Sequence, residues 1–227
     1  MPPYLLVDTS GSINEKSHPS GGFVISFLKA HLPFKDRTTV PIWVGWWASV
    51  MKPLLMISNF NELSIVNQLN YIMNFIDLFC GCGGLSEGFL TEGFEPTFLA
   101  DNDKYAMETT SNRLFQSGFE HEKVKSICHV SDLTQNDSLE LFKTRVTNQP
   151  DTILAGIPCQ AFSTVGRAQD KHSMKNDKRN YLYTYLMNYV EAVKPKTVII
   201  ENVSGLLSAK PKNNKNILDE IFKNLNS

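Results

Sequence analysis

A chain of 227 residues, 42% hydrophobic and 20% charged, can fill one sizeable core, and its net charge of −1 supplies no global field for a polyanion. Any nucleic-acid surface is therefore a local patch. The four cysteines (Cys80, Cys82, Cys128 and Cys159) lack the paired spacing of a zinc site and are too few for a disulfide framework. They point to a reducing, intracellular setting in the cytoplasm. The start Met1-Pro-Pro-Tyr4 has no basic n-region, and the most apolar run, 41–51, is too short to span a bilayer. Neither a membrane partner nor a metal site is expected.

Residues 1–72 differ from the rest and form an extension of unknown role. Tyr4 to Val7 reads as a short strand, followed by Asp8-Thr-Ser10-Gly-Ser12. An Asp-x-Ser-x-Ser after a strand resembles the metal-ion-dependent adhesion motif of von Willebrand factor A domains. A polar turn is the preferred reading, because further ligands cannot be placed. Asn61 to Ile72 shows helical spacing of Leu63, Val66, Leu69 and Ile72. Met73 then precedes the first clear strand.

From Asn74 the pattern is regular. Phe75 to Phe79 is a predicted strand, Cys80-Gly-Cys-Gly-Gly84 a glycine-rich turn, and Leu85 to Glu92 a helix closed by Gly93. A second strand, Pro96 to Ala100, ends at Asp101. An acidic residue about 20 positions beyond a glycine loop suits a ribose diol. Asp103 to Arg113 is a predicted helix. Ser126 to Val130 is a third strand, leading to Ser131-Asp132-Leu133. An Asp at that edge can accept a hydrogen bond from an adenine amine. Asn136 to Thr147 is the next helix.

The fourth strand, Thr152 to Ala155, carries the stretch on which the chain turns: Asp151-Thr-Ile-Leu-Ala-Gly-Ile-Pro-Cys159-Gln-Ala-Phe-Ser163. Pro158 fixes the backbone before Cys159, so the thiol is held at the carboxyl end of a central strand, where open α/β sheets bind ligands. A lone cysteine there is ordinarily a buried core residue. Tyr181 to Lys194 is an amphipathic helix, and Lys196 to Ile200 a fifth strand that delivers Glu201-Asn-Val203. Ile217 to Leu225 is a last helix. Alternating strands and helices imply an α/β fold with a parallel sheet covered on both faces. With five strands in this part, the edge beside Lys196 to Ile200 is expected to be open.

A thiol and a carboxyl group, over a glycine loop with two strand-end aspartates, form a specific combination. Phe75-Ile-Asp-Leu-Phe-Cys-Gly-Cys-Gly-Gly84, Ile157-Pro-Cys-Gln-Ala-Phe-Ser163 and Glu201-Asn-Val203 resemble the ordered motifs of cytosine-C5 DNA methyltransferases. The resemblance runs from about Asn74 to the end of the sequence. It implies a Rossmann-like S-adenosylmethionine-dependent methyltransferase sheet over 73–227, acting on double-stranded DNA within a DNA-methylation or restriction-modification system.

Cys159 is then the nucleophile toward cytosine C6, and Glu201 the proton donor at the N3 side of the base. The target base must be flipped out of the duplex to reach them. For S-adenosyl-L-methionine, the resemblance implies Phe79 stacking on adenine, Asp101 at the ribose hydroxyls and Asp132 at the adenine amine. Gly81, Cys82, Gly83 and Gly84 let the methionine portion approach the backbone, and Asp77, Asn102, Leu133, Pro158 and Leu182 complete the wall. Gln160, Ser163 and Arg167 are expected to meet DNA. They open a segment in which 166–180 holds five basic residues against two acidic ones.

The sequence departs from the family pattern in places. Gly156-Ile-Pro-Cys159 stands where Gly-Pro-Pro-Cys is usual, Asp101 where Glu is common, and Asn102 where an apolar residue is frequent. Two further strands, an Arg-containing motif, a target-recognition region and a returning C-terminal helix are not found after Glu201. The expectation is a partial catalytic domain completed by a second chain. Two alternatives share the motifs: an inactive remnant that only binds cofactor, and a methyltransferase acting on RNA cytosine.

Overall fold

The computed structural model describes residues 4–8, 72–158 and 181–202, with 4–8 and 202 described by their backbone. Six strands form one parallel sheet: β1 (Tyr4–Asp8), β2 (Asn74–Leu78), β3 (Glu95–Asp101), β4 (Cys128–Val130), β5 (Thr152–Gly156) and β6 (Thr197–Asn202). Their order across the sheet is β1-β6-β5-β2-β3-β4. Five helices are described: α1 (Gly84–Thr91), α2 (Lys104–Gln116), α3 (His121–Ile127), α4 (Asn136–Arg145) and α5 (Leu182–Val193).

The strands alternate in where they bury their side chains. Ile76, Leu78, Phe98, Ala100, Ile153, Ala155, Val198 and Ile200 pack with Phe142 of α4 and Leu186 and Tyr189 of α5. Phe75, Leu99, Leu154 and Ile199 pack on the opposite face with Phe89 of α1, Met107 and Leu114 of α2, and Val124 and Ile127 of α3. Both faces are thus covered, as the near-continuous apolar strands require. A bidentate Arg113–Glu87 ion pair, with Nε to Oε2 at 2.8 Å, ties α2 to α1.

The chain leaves β2 in one direction, to β3 and β4, and later returns to the other side as β5 and β6. The order therefore reverses between β2 and β5, and the cleft at the carboxyl ends of these two strands is where such sheets bind ligands.

Several expectations need correction. The edge beside β6 is not open: β1 lies along it in parallel register, from Tyr4 opposite Val198 to Asp8 opposite Asn202. The expected strand Ser126 to Val130 shrinks to Cys128–Val130, and its first residues belong to α3. Val124 and Ile127 are the buried residues of that helix, and two inward positions give too little periodicity to read from sequence. Helix α2 begins at Lys104, because Asp103 is its N-cap and accepts from the amides of Tyr105 at 2.8 Å and Ala106 at 3.3 Å. Gly93 closes α1 as expected, at φ 78°. Ser10, Ser12, the helices expected over 61–72 and 217–225, and the basic segment 166–180 lie outside the described residues, except for Ile72 at the end of the first.

Candidate active site

The turn after β2 is built on backbone conformations that glycine favours. Gly81 has φ 54° and Gly83 φ 80°. Phe79, a bulky residue, is held at φ 58°, a left-handed position that costs energy unless its surroundings enforce it. Cβ atoms placed on Gly81 or Gly84 would meet nothing within 4 Å among the described residues, which leaves space above the loop for a ligand. Gly83 is different: its Cβ would come 3.2 Å from Thr110 Oγ1.

Three side chains fix this loop from below. Asp101, at the end of β3, accepts the Gly81 amide on Oδ2 at 2.8 Å and the Asp103 amide on Oδ1 at 2.9 Å. The Thr110 hydroxyl donates to the Gly81 carbonyl at 3.0 Å. Asp77, fully buried in β2, accepts from the Ser86 hydroxyl at 2.6 Å. Ser86 is the third residue of α1, whose N-cap Gly83 has no side chain to cap the helix, so Asp77 serves that end from a neighbouring strand. Burial pushes the Asp77 carboxyl up to about 7; the Ser86 hydroxyl and amide oppose this and the Asp101 charge adds to it. Its Oδ1 is buried with no hydrogen-bond partner among the described residues.

The second loop, Ser131 to Leu133, is equally well held. Asp132 accepts on Oδ1 from the Thr134 amide at 3.0 Å and the Thr134 hydroxyl at 2.7 Å, and on Oδ2 from Gln135 at 3.2 Å. These bonds, from Thr134 first, hold its carboxyl below the usual range. Ser138 of α4 donates to the Asp132 carbonyl at 2.7 Å, and Tyr189 of α5 to the Leu133 carbonyl at 3.1 Å.

Across the cleft, β5 runs into Ile157 and Pro158. Glu201 on β6 stands in register with Gly156, so the carboxyl-bearing strand is the immediate neighbour of the strand that leads to Cys159. Gly156 in turn lies beside the glycine-loop strand: a Cβ there would lie 3.3 Å from the Phe79 carbonyl oxygen.

A glycine loop, two strand-end aspartates and the Pro158 and Glu201 strands thus meet at one sheet edge. The family model for C-5 cytosine-specific DNA methylases matches residues 73–227. The chain belongs to that family. Similar relatives include the type II methyltransferase M.AgeI of Thalassovita gelatinovora, 35% identical over 138 residues that cover 60% of this chain and 29% of that protein. M.DdeI of Desulfomicrobium norvegicum is 36% identical over 156 residues, covering 67% of this chain and 34% of that protein. M.HgiGI of Herpetosiphon aurantiacus is 36% identical over 132 residues, covering 58% of this chain and 90% of that sequence. Against M.AgeI and M.DdeI, the chain spans about a third of the relative's length.

For a C-5 cytosine methylase, the structure brings together Asp77, Phe79, Gly81 to Gly84, Asp101, Pro158 and Glu201 around the cleft. Cys82, Asn102 and Asp132 are exposed at its margin, and Leu182 is half-buried at the start of α5. Leu133 is buried in the core between sheet and α5, so its carbonyl rather than its side chain defines the loop. Cys159, Gln160, Ser163 and Arg167 lie outside the described residues. Sequence reasoning missed Ser86, Thr110, Ser138 and the hydroxyl of Tyr189. Thr110 had a legible signal: it shares the inward face of α2 with Met107 and Leu114, where an apolar residue is the norm. Among the described residues, no cluster suits a metal ion, and no helix is long and apolar enough to cross a membrane.

Proposed function

We propose that the chain transfers a methyl group from S-adenosylmethionine to C5 of cytosine in double-stranded DNA, as the catalytic portion of a modification methyltransferase of a restriction-modification system. The observation that carries this is the meeting of the glycine loop with the Gly156–Pro158 turn at the strand-order reversal, in a chain of this family. The cofactor, when bound, supplies an activated methyl group on a sulfonium.

The residues present fit that cofactor. The space over Gly81 and Gly84, clear of the described residues, admits it. A carboxylate has about four lone-pair sites. Asp101 spends one on Gly81 and one on Asp103, which leaves others for ribose hydroxyls. Phe79 offers a ring at the loop, and Asp132 a carboxylate at the neighbouring one for the adenine amine. The buried Asp77 carboxyl lies beneath the loop and favours a cationic ligand once ionised. Asn102, Cys82, Gly83, Pro158 and Leu182 wall the pocket.

Cys159 attacks C6 of the flipped base as thiolate, which raises electron density at C5. Glu201 donates a proton at N3 and so stabilises the adduct. Once C5 has taken the methyl group, with S-adenosylhomocysteine as the leaving group, loss of the C5 proton to a base and return of the N3 proton to Glu201 expel the thiolate. Gln160, Ser163 and Arg167 hold the DNA.

The first test is thermal unfolding with and without S-adenosylmethionine. Ligand at 100 times its Kd is expected to add about 2.7 kcal/mol. The second is transfer of labelled methyl groups to DNA by the chain, alone and with a polypeptide supplying the rest of a relative's length. Cys159→Ser is expected to abolish transfer while leaving the thermal shift intact. Transfer that survives this change sinks the mechanism.

A further inference from the structure

We propose that Thr110 is a positioning residue for the cofactor loop: through Gly81 and Gly83 it sets the loop shape on which methyl-donor affinity depends. The inference rests on reading this loop as the S-adenosylmethionine cradle. Thr110 lies on α2, outside the loop and outside every motif that marks the family in this sequence.

The Gly81 peptide is held at both ends. Its amide donates to Asp101 Oδ2 at 2.8 Å, and its carbonyl accepts from Thr110 Oγ1 at 3.0 Å. The two tethers come from different elements, the end of β3 and the middle of α2. Gly81 is in the left-handed region and a Cβ there would touch nothing among the described residues, so their packing does not hold it. The hydrogen bonds do. Thr110 also walls the next glycine, since a Cβ on Gly83 would come 3.2 Å from its Oγ1 and 3.4 Å from its Cγ2. One side chain thus bonds the carbonyl of one loop glycine and would crowd a side chain at another.

The placement of Thr110 is costly unless the hydroxyl has this use. It is 3% exposed, on the same apolar face as Met107 and Leu114. A buried hydroxyl in such surroundings gives up its water partners, and here the Gly81 carbonyl replaces them. Valine would fill the same volume without the polar atom, but it would leave the Gly81 carbonyl without this donor.

The test compares Thr110→Val with Thr110→Ser. Calorimetry with S-adenosylmethionine is expected to give about a tenfold weaker Kd for Thr110→Val, the loss of one hydrogen bond, and a Kd within about threefold of the unmodified chain for Thr110→Ser. Equal affinity of Thr110→Val and the unmodified chain overturns the proposal, and so does equal loss in both variants, which would make Thr110 a packing residue. Hydrogen exchange in the ligand-free chain gives an independent readout. Faster exchange confined to the Gly81 and Gly83 amides in Thr110→Val, restored in Thr110→Ser, supports positioning. Unchanged exchange there, or faster exchange throughout the sheet, overturns it. If the unmodified chain binds no S-adenosylmethionine, the cofactor reading fails, and the exchange experiment alone decides whether Thr110 sets the loop.

Discussion

Gly156 leaves beside Phe79 a space that a side chain would crowd: a Cβ on Gly156 would stand 3.3 Å from the Phe79 carbonyl oxygen and 3.9 Å from Leu85 Cδ1. The first distance is tight, and the neighbour is backbone. Phe79 is already held at φ 58°, so its carbonyl has little freedom to withdraw. Gly156→Ala is therefore expected to cost about 1–2 kcal/mol of stability, as overpacking does. It is also expected to weaken S-adenosylmethionine binding, because the displaced residue carries the proposed adenine platform. Chemical denaturation and calorimetry check the two effects separately. Full affinity in the alanine variant would show that the loop yields freely.

Asp77 sets a second expectation. Its carboxyl is fully buried and its pKa rises from 3.8 to about 7, chiefly through desolvation. The folded state thus holds a proton that the unfolded state releases between these values. This contribution to stability is complete below pH 3.8 and is lost as pH rises through about 7. Asp77→Asn keeps an acceptor for Ser86 and cannot ionise. The variant is expected to be more stable than the unmodified chain at pH 8, by a few kcal/mol, with the difference vanishing toward pH 4. Denaturant midpoints over that range decide it. The same variant is expected to lose cofactor affinity, which would explain why a destabilising acid occupies the core.

Much of this arrangement is legible in the sequence, for physical reasons that differ by element. The apolar strands β2, β3, β5 and β6 announce themselves through short runs bounded by Gly, Pro and Asp. The glycine loop is visible because glycine takes positive φ without strain and lets backbone lie close to a ligand. What escaped is long-range or minimal. Tyr4 to Val7 reads as a strand, but nothing local says that it pairs with Val198 to Glu201. Helix α3 has too few inward residues to show a period. The second tether of Gly81, from Thr110, lies 29 residues away.

His129 acts in the opposite sense to Asp77. Its ring stacks on Phe98 at a centroid distance of 4.4 Å, and its Nε2 is buried with no hydrogen-bond partner among the described residues. Burial first, and the Arg145 charge second, push its pKa below 6.5, against a hydrogen bond at the Ser126 backbone. The neutral ring is the folded form. Stability from this group is complete above pH 6.5 and is lost as pH falls through the lowered folded value. His129→Phe keeps the stack on Phe98 and removes the titration. Melting temperatures measured from pH 7.5 to 5 are expected to fall less in this variant; parallel curves would acquit His129 of any part in acid sensitivity.

Asp151 closes the opposite end of the sheet, and its loss is expected to be the most damaging of these changes. Its Oδ2 accepts the Asn74 amide at 2.9 Å, and its own amide donates to Asn74 Oδ1 at 3.3 Å. Lys196 Nζ lies 2.9 Å from Oδ1. One fully buried carboxylate thus links the starts of β2, β5 and β6, the three strands on which the cleft depends. Asp151→Ala leaves a backbone amide and a largely buried ammonium without these bonds, at a cost of about 3–5 kcal/mol. Asp151→Asn keeps an acceptor for Asn74 and loses only the charge, so it is expected to fall between the alanine variant and the unmodified chain. Urea unfolding ranks the three. If asparagine proves as damaging as alanine, the ion pair with Lys196 rather than the Asn74 exchange holds the strands in register. If both variants match the unmodified chain, neither contact does.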